Sequence, residues 1–217
     1  MRGILAAALA TVLGAGLVSL LQEQPRLLAV ALAALALAYL LRRGLRRSRL
    51  RATAAEAFML VTTGVIGYLT ESWGTTQGHW TYHHLPPGQT VPEWVPIAWS
   101  LAAVLLHRLD LELVDAQTSA ARRLQVTYAC GVLLPLLGES ICIANGVWAY
   151  HWPLKILGVP LLALLLIAWA HLTFTLMHQG LGAWLDVQSV PHESKNRETR
   201  ARAPTGARAS AARRPAV

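Results

Sequence analysis

Six apolar runs, Ile4–Leu21, Leu27–Leu41, Ala54–Thr70, Trp94–Leu106, Leu124–Ile143 and Ile156–Met177, occupy most of a 217-residue chain. About 20 apolar residues make a helix long enough to cross a bilayer core of ~30 Å. Inside that core each backbone N–H and C=O needs an internal partner, so runs of this length have to be helical. The chain is 54% hydrophobic and only 14% charged, with mean hydropathy +0.42. Soluble domains carry about 25% charged residues. The expectation is an all-α, polytopic integral membrane bundle of six helices over residues 1–192, followed by a disordered basic tail, 193–217. Six spans leave no room for a separate soluble domain.

The net charge of +8 is concentrated. Six arginines lie within Arg42–Arg51 and seven Lys/Arg within Lys195–Arg214, whereas Glu71–Glu93 has none and Asn145–Lys155 only Lys155. Basic loops stay on the cytoplasmic side. This places both termini in the cytoplasm and the chain in the cell (inner) membrane. The tail is rich in Ala, Arg, Pro and Ser, a composition that does not bury a core. It suits anionic lipid, and with no binding fold beside it nucleic acid is not an expected partner. The first run lacks a small-x-small cleavage site before Gln22 and reads as a retained helix rather than a signal peptide. Segment His107–Arg123, which mixes leucines with both charge signs, reads as a helix lying on the membrane surface. Cys130 and Cys142 lie ~18 Å apart along one helix, too far for a disulfide, and read as core residues.

A duplication carries the functional reading. Thr70–Tyr82 reads TESWGTTQGHWTY, and 68 residues later Gly138–Tyr150 reads GESICIANGVWAY. Both contain Glu-Ser and then Gly-x-Trp-x-Tyr, with an amide, Gln77 or Asn145, before each glycine. An Ala-Trp pair follows each copy, ending at Trp99 and Trp169. Helices 3–4 and 5–6 are thus expected to be parallel repeat units, about 54–107 and 124–178, of the kind that meet at a shared site. Carboxylates in a membrane helix are costly and are functional candidates by default. Glu71 and Glu139 are therefore the catalytic candidates, because a poorly solvated carboxyl keeps its proton and can act as a general acid.

Trp73, Trp80, Tyr82, Trp99, Trp148, Tyr150 and Trp169, with Gln77 and Asn145, are the candidate substrate pocket. Aromatic faces stabilise cations. Trp94 and Trp152 read instead as members of an interfacial belt. The two amides suit equally the orientation of a glutamate and the capping of a helix end. Of the histidines, His79, His83, His84 and His151 lie on the outer side, but none recurs in both copies and no HExxH or DxxD motif is present, so no metal is expected. His171 and His178 share a face of the last span and read as bonded within the bundle. Phosphate loops, dinucleotide fingerprints and nucleophile elbows are missing from the sequence, and no cofactor is expected.

The run Glu71…Gly74-Thr75-x-x-Gly78…Tyr82, followed by Val91-Pro92…Val95-Pro96-Ile97-Ala98-Trp99, resembles the bacterial carotenoid-biosynthesis membrane proteins that include the carotenoid 1,2-hydratases. The resemblance covers roughly residues 68–177. His79-Trp80 and Val147-Trp148 replace the Phe-Gly usual before the tyrosines. The arrangement is also similar to small membrane terpene cyclases and heterodimeric-type lycopene cyclases. These resemblances imply protonation of a lipophilic polyprenoid by Glu71 or Glu139, a carbocation sheltered by Trp80, Tyr82, Trp148 and Tyr150, and cyclisation or hydration as the outcome. The bulkier indoles in place of Phe-Gly tilt the expectation toward a cyclase. The alternatives are a small proton-coupled transporter or an accessory protein in which the glutamates serve only to hold helices.

Overall fold

The computed structural model describes residues 2–44, 50–114 and 118–188. The centre of the basic loop at 45–49 and the tail from 189 onward lie outside the described residues. The elements are α1 (Arg2–Leu20), α2 (Pro25–Gly44), α3 (Leu50–Thr76), β1 (Trp80–Tyr82), α4 (Val95–Leu113), α5 (Ala120–Ala144), β2 (Trp148–Tyr150), β3 (Lys155–Ile156), β4 (Val159–Pro160) and α6 (Leu161–Gln188). The helices pack as one unit over Met1–Gly182. Helices α1, α2, α3, α5 and α6 are each long and apolar enough to cross a bilayer. Their outward residues, such as Leu5, Leu9, Val30, Leu133 and Leu162, are large, apolar and exposed, as lipid-facing surfaces require. The chain is an all-α membrane bundle.

Two spans differ from the expected ones. The fourth helix does not stop at Leu106. It continues to Leu113 and buries Leu106, His107, Leu109 and Asp110, so the expected surface helix His107–Arg123 does not exist as a unit. The reason is electrostatic: Arg108 pairs with Glu56 of α3 and donates to the Tyr39 hydroxyl of α2 at 3.0 Å. Asp110 takes a hydrogen bond from His171 of α6 at 2.9 Å. Polar side chains on α4 find partners inside the bundle and draw the helix inward. Helix α5 then starts behind Ser119, whose side chain accepts from the Arg122 N–H, an ordinary N-cap.

The sixth span begins at Leu161 rather than Ile156, because β3 and β4 form a small hairpin ahead of it. Its two-residue turn, Leu157 and Gly158, has φ of +52° and +85°, the signs a type I′ turn needs.

The duplication is visible in the backbone. Helices α3 and α5 end in the same left-handed turn, at Gly78 and Gly146, both with φ +70°. In the first copy the His79 N–H bonds to Gly74 C=O at 2.9 Å and the Gly78 N–H to Thr75 C=O at 3.1 Å. In the second, Val147 bonds to Cys142 and Gly146 to Ile143, both at 3.0 Å. Each pair is a Schellman cap. The strands that follow, β1 and β2, pair antiparallel in the register Trp80↔Tyr150, Thr81↔Ala149 and Tyr82↔Trp148. Outside the ribbon, the His83 N–H bonds to Val147 C=O and the His151 N–H to His79 C=O. Each of these contacts maps onto its mate by the 68-residue offset, so the two repeats are related by a local two-fold through the ribbon. Because both helices lead into it, α3 and α5 run in the same direction, as parallel repeats do.

Among the described residues no atom stands within 4 Å of a Cβ built on Gly78 or Gly146. Their requirement for glycine is therefore conformational alone. Gly78→Ala and Gly146→Ala should each lower stability by about 1–2 kcal/mol, the cost of a left-handed L-residue. Thermal unfolding in detergent checks this, with matching losses expected at the two sites.

Candidate functional site

The two glutamates lie five residues before the last residues of α3 and α5, ~7 Å of helix below the caps. The chain reverses at each cap, and alternation along β1 and β2 aims Trp80, Tyr82, Trp148 and Tyr150 back at the helices. The Trp80 indole N–H donates to Glu71 Oε2 at 2.7 Å and the Tyr82 hydroxyl donates to the same oxygen at 2.9 Å. In the second copy, the Trp148 N–H and the Tyr150 hydroxyl donate to Glu139 Oε2 at 3.1 and 3.0 Å. Gly-x-Trp-x-Tyr is therefore a device for bringing two donors onto a carboxylate nine and eleven residues upstream.

Across the ribbon the two sites interlock. Trp80 packs edge-on against Tyr150 at 5.7 Å, and Tyr82 against Trp148 at 5.6 Å. Each contact joins a donor of one glutamate to a donor of the other.

The glycine spacing around Glu71 has a packing cause. A Cβ on Gly74 would come within 1.9 Å of the Trp80 ring, and one on Gly67 within 2.4 Å of Trp99. Two glycines flanking Glu71 along α3 thus seat two indoles. The second of them, Trp99 of α4, donates to Glu71 Oε1 at 2.9 Å.

Here the two-fold breaks. Trp169, the sequence counterpart of Trp99, is 63% exposed on α6. Among the described residues no donor reaches Glu139 Oε1. Glu71 is buried with three donors on two oxygens, whereas Glu139 is partly exposed with one oxygen open. Three donors and no acceptor suit a carboxylate that only accepts; an open oxygen leaves Glu139 a position for an acidic O–H.

The remaining expected site residues are placed as follows. Trp73 is half exposed and meets the His79 ring at 4.8 Å. Gln77 and Asn145 are exposed C-cap residues. Asn145 Nδ2 donates to Ile141 C=O at 2.7 Å, and the Asn145 backbone C=O accepts from Gln22 Nε2 at 3.2 Å. Of the two roles open to these amides, Asn145 fills the capping one. Trp94 is not a belt residue: it is 4% exposed and packs on Tyr82 and Trp148. Trp152 is half-buried against His79 and Trp80.

Of the histidines, His83 lies within hydrogen-bond distance of Gly146 C=O and His151 of the Thr81 hydroxyl. Among the described residues no three His, Cys, Asp or Glu side chains converge as a metal site. A surface cleft of about 450 Å³ is lined by Tyr68, Pro96 and the loop 88–93; Tyr68 lies one turn before Glu71.

The sequence reading missed the polar groups of α4. His107 and Asp110 are buried with His171, and Arg108 completes a triad with Glu56 and Tyr39. The available signal was the i, i+3 spacing of His107 and Asp110 in an otherwise leucine-rich stretch.

No family model, curated protein or solved structure matches the chain.

The donor asymmetry predicts unequal effects of amide substitution. In Glu71→Gln the new N–H₂ must face at least one existing donor, so stability should fall by about 1–3 kcal/mol. In Glu139→Gln the amide nitrogen can occupy the open side, and the loss should be smaller. Unfolding of both variants in detergent decides; equal losses would refute the asymmetry.

The tyrosines predict an alkaline limit. Burial, reinforced by the neighbouring carboxylates, pushes the Tyr82 and Tyr150 phenols well above their ordinary value of 10.0. Folded, they hold protons that the unfolded chain releases above about pH 10, so their contribution is complete below that pH and is lost progressively as pH rises from there through the higher folded value. Tyrosinate absorbance from these two residues should appear together with unfolding, and Tyr82→Phe with Tyr150→Phe should remove that coincidence.

Proposed function

We propose that this chain is a membrane enzyme of isoprenoid metabolism in which Glu139 protonates a polyprenoid alkene or epoxide and Glu71 is a positioning residue. The observation that carries this reading is the unequal hydrogen bonding of two duplicated carboxyls. One is locked on both oxygens by three donors. The other keeps an oxygen open at the edge of the same aromatic cluster. Duplication followed by release of one copy is what an acid with a fixed partner needs.

The proton leaves Glu139 Oε1 for an alkene carbon or the epoxide oxygen, and the electron pair of the alkene, or of the breaking C–O bond, leaves a cation behind. Trp148 and Tyr150 stand beside that carboxyl, and aromatic faces favour cations. Cyclisation ends with loss of a proton and an isomeric product. Hydration ends with addition of water and release of its proton. General acid participation of this kind contributes typically 10²–10⁴-fold in rate.

The polyprenoid class rests on the resemblance of residues 68–177 to carotenoid-modifying and terpene-cyclising membrane proteins. The position of both carboxyls near helix ends suits chemistry at a membrane surface. A transporter would hold them near the midplane. The positive-inside bias puts the ribbon on the outer face of the inner membrane, with both termini in the cytoplasm.

The test is expression in a host supplied with lycopene or a prenylated aromatic epoxide, followed by mass analysis of extracted lipids. A product of unchanged mass marks a cyclase, and a gain of one water a hydratase. Glu139→Gln should abolish either product while the protein stays folded in the membrane. Glu71→Gln should reduce it in step with lost stability. If no substrate is converted by folded protein, the reading fails in favour of a transporter or scaffold.

A further inference from the structure

We propose that His107, Asp110, His171 and His178 form a proton-exchange site inside the bundle, separate from the glutamates. His107 is eight residues beyond Trp99 on α4, ~12 Å along the helix from the indole that holds Glu71.

The cluster is built from α4 and α6. His171 Nε2 and Asp110 Oδ2 are 2.9 Å apart, and the Thr175 hydroxyl donates to the same oxygen at 3.5 Å. The His107 and His178 rings meet with centroids 4.1 Å apart. His171 and Asp110 alone would be a satisfied structural pair. The surplus is what needs an occupant. Among the described residues, both ring nitrogens of His107, which is 2% exposed, lack a partner, as do Asp110 Oδ1 and His178 Nε2.

Buried polar atoms are nearly always paired, with ordered water or an ion where protein gives no partner. These four atoms belong to imidazoles and a carboxylate, the side chains that take up and release protons within a bundle. They do not converge as metal ligands. A proton taken up by an imidazole makes both of its ring nitrogens donors.

The charged and titratable groups around the cluster are otherwise engaged. Arg108 of α4 pairs with Glu56 of α3 and with Tyr39 of α2. The thiol of Cys130 on α5 sits in the apolar packing around Leu106, Leu109 and Leu134. None of these supplies the missing partner of His107.

Full-length protein carrying nitrogen-15 histidine, reconstituted in lipid bilayers, tests the proposal. Ring signals of His107, His171 and His178, assigned by their loss in single His→Gln variants, report protonation between about pH 5 and 8. The expected result is that protonation within the cluster changes in this range, and that Asp110→Asn weakens its proton affinity about tenfold, one unit in midpoint. If Asp110→Asn does not fold, His178→Gln reads the same coupling at His107 and His171. The proposal is overturned if the rings keep one protonation state across this range. Midpoints that ignore both substitutions would also overturn it, as would a stoichiometric metal in the purified protein that His107→Gln removes. Glu71→Gln and Glu139→Gln should leave the cluster's midpoint in place, so this outcome is independent of the enzyme reading.

Discussion

A carboxylate near the end of a membrane helix has to find donors, and in this protein the donors are indole N–H and phenol O–H groups on a short ribbon. Everything at that end of the bundle follows from this pairing. The donors come from residues nine and eleven positions further along the chain, so the helix has to stop and turn back sharply. A left-handed glycine makes that turn. The strand after it has to alternate, so that Trp and Tyr both face down while Thr81 or Ala149 faces away. Hydrogen bonds to the carboxyls, worth about 0.5–1.5 kcal/mol each for neutral partners and more for a charged one, then hold the ribbon on the helix ends. Without the carboxylates the ribbon, only three residues per strand, would be too small to persist alone.

The duplication makes the site, and its imperfection gives the site a direction. The backbone of the two copies matches contact for contact through the caps, the ribbon register and the flanking histidine N–H groups. The side chains do not. Gly67 and Gly74 admit two indoles to Glu71, while the second copy has Cys142 where the first has Gly74, and no inward counterpart of Trp99. One glutamate thereby becomes a fixture of the fold and the other retains an open valence. The same tension shapes α4, whose ionisable residues are drawn inward by partners on α2, α3 and α6. Its lower half is a polar spine in a bundle that otherwise faces lipid.

Much of this was legible in the residues alone. Six helices and the matched placement of Glu71 and Glu139 ahead of Gly-x-Trp-x-Tyr follow from run length and from an exact 68-residue offset; that the Trp and Tyr of each copy donate to its Glu did not. Sequence spacing reveals a repeat because both copies solve the same local problem. It does not reveal where a rotated helix points a side chain. Trp99 and Trp169 look equivalent as Ala-Trp pairs, yet one reaches Glu71 and the other is exposed to lipid. Trp94 looks like a belt residue and is buried under the ribbon. His107–Leu113 looks like a surface helix because its charges are evident and its partners are far away in the chain.

By its sequence, then, this chain was committed to a membrane bundle with two matched carboxylates, because bilayer thickness and backbone hydrogen bonding allow long apolar runs no other form. The tertiary structure alone decided which carboxylate is saturated, which aromatics serve it, and that four ionisable groups of α4 and α6 meet in the interior. Those outcomes depend on helix rotation and on contacts between different helices, 28 positions apart for Trp99 and Glu71 and 61 for Asp110 and His171, which no local pattern encodes.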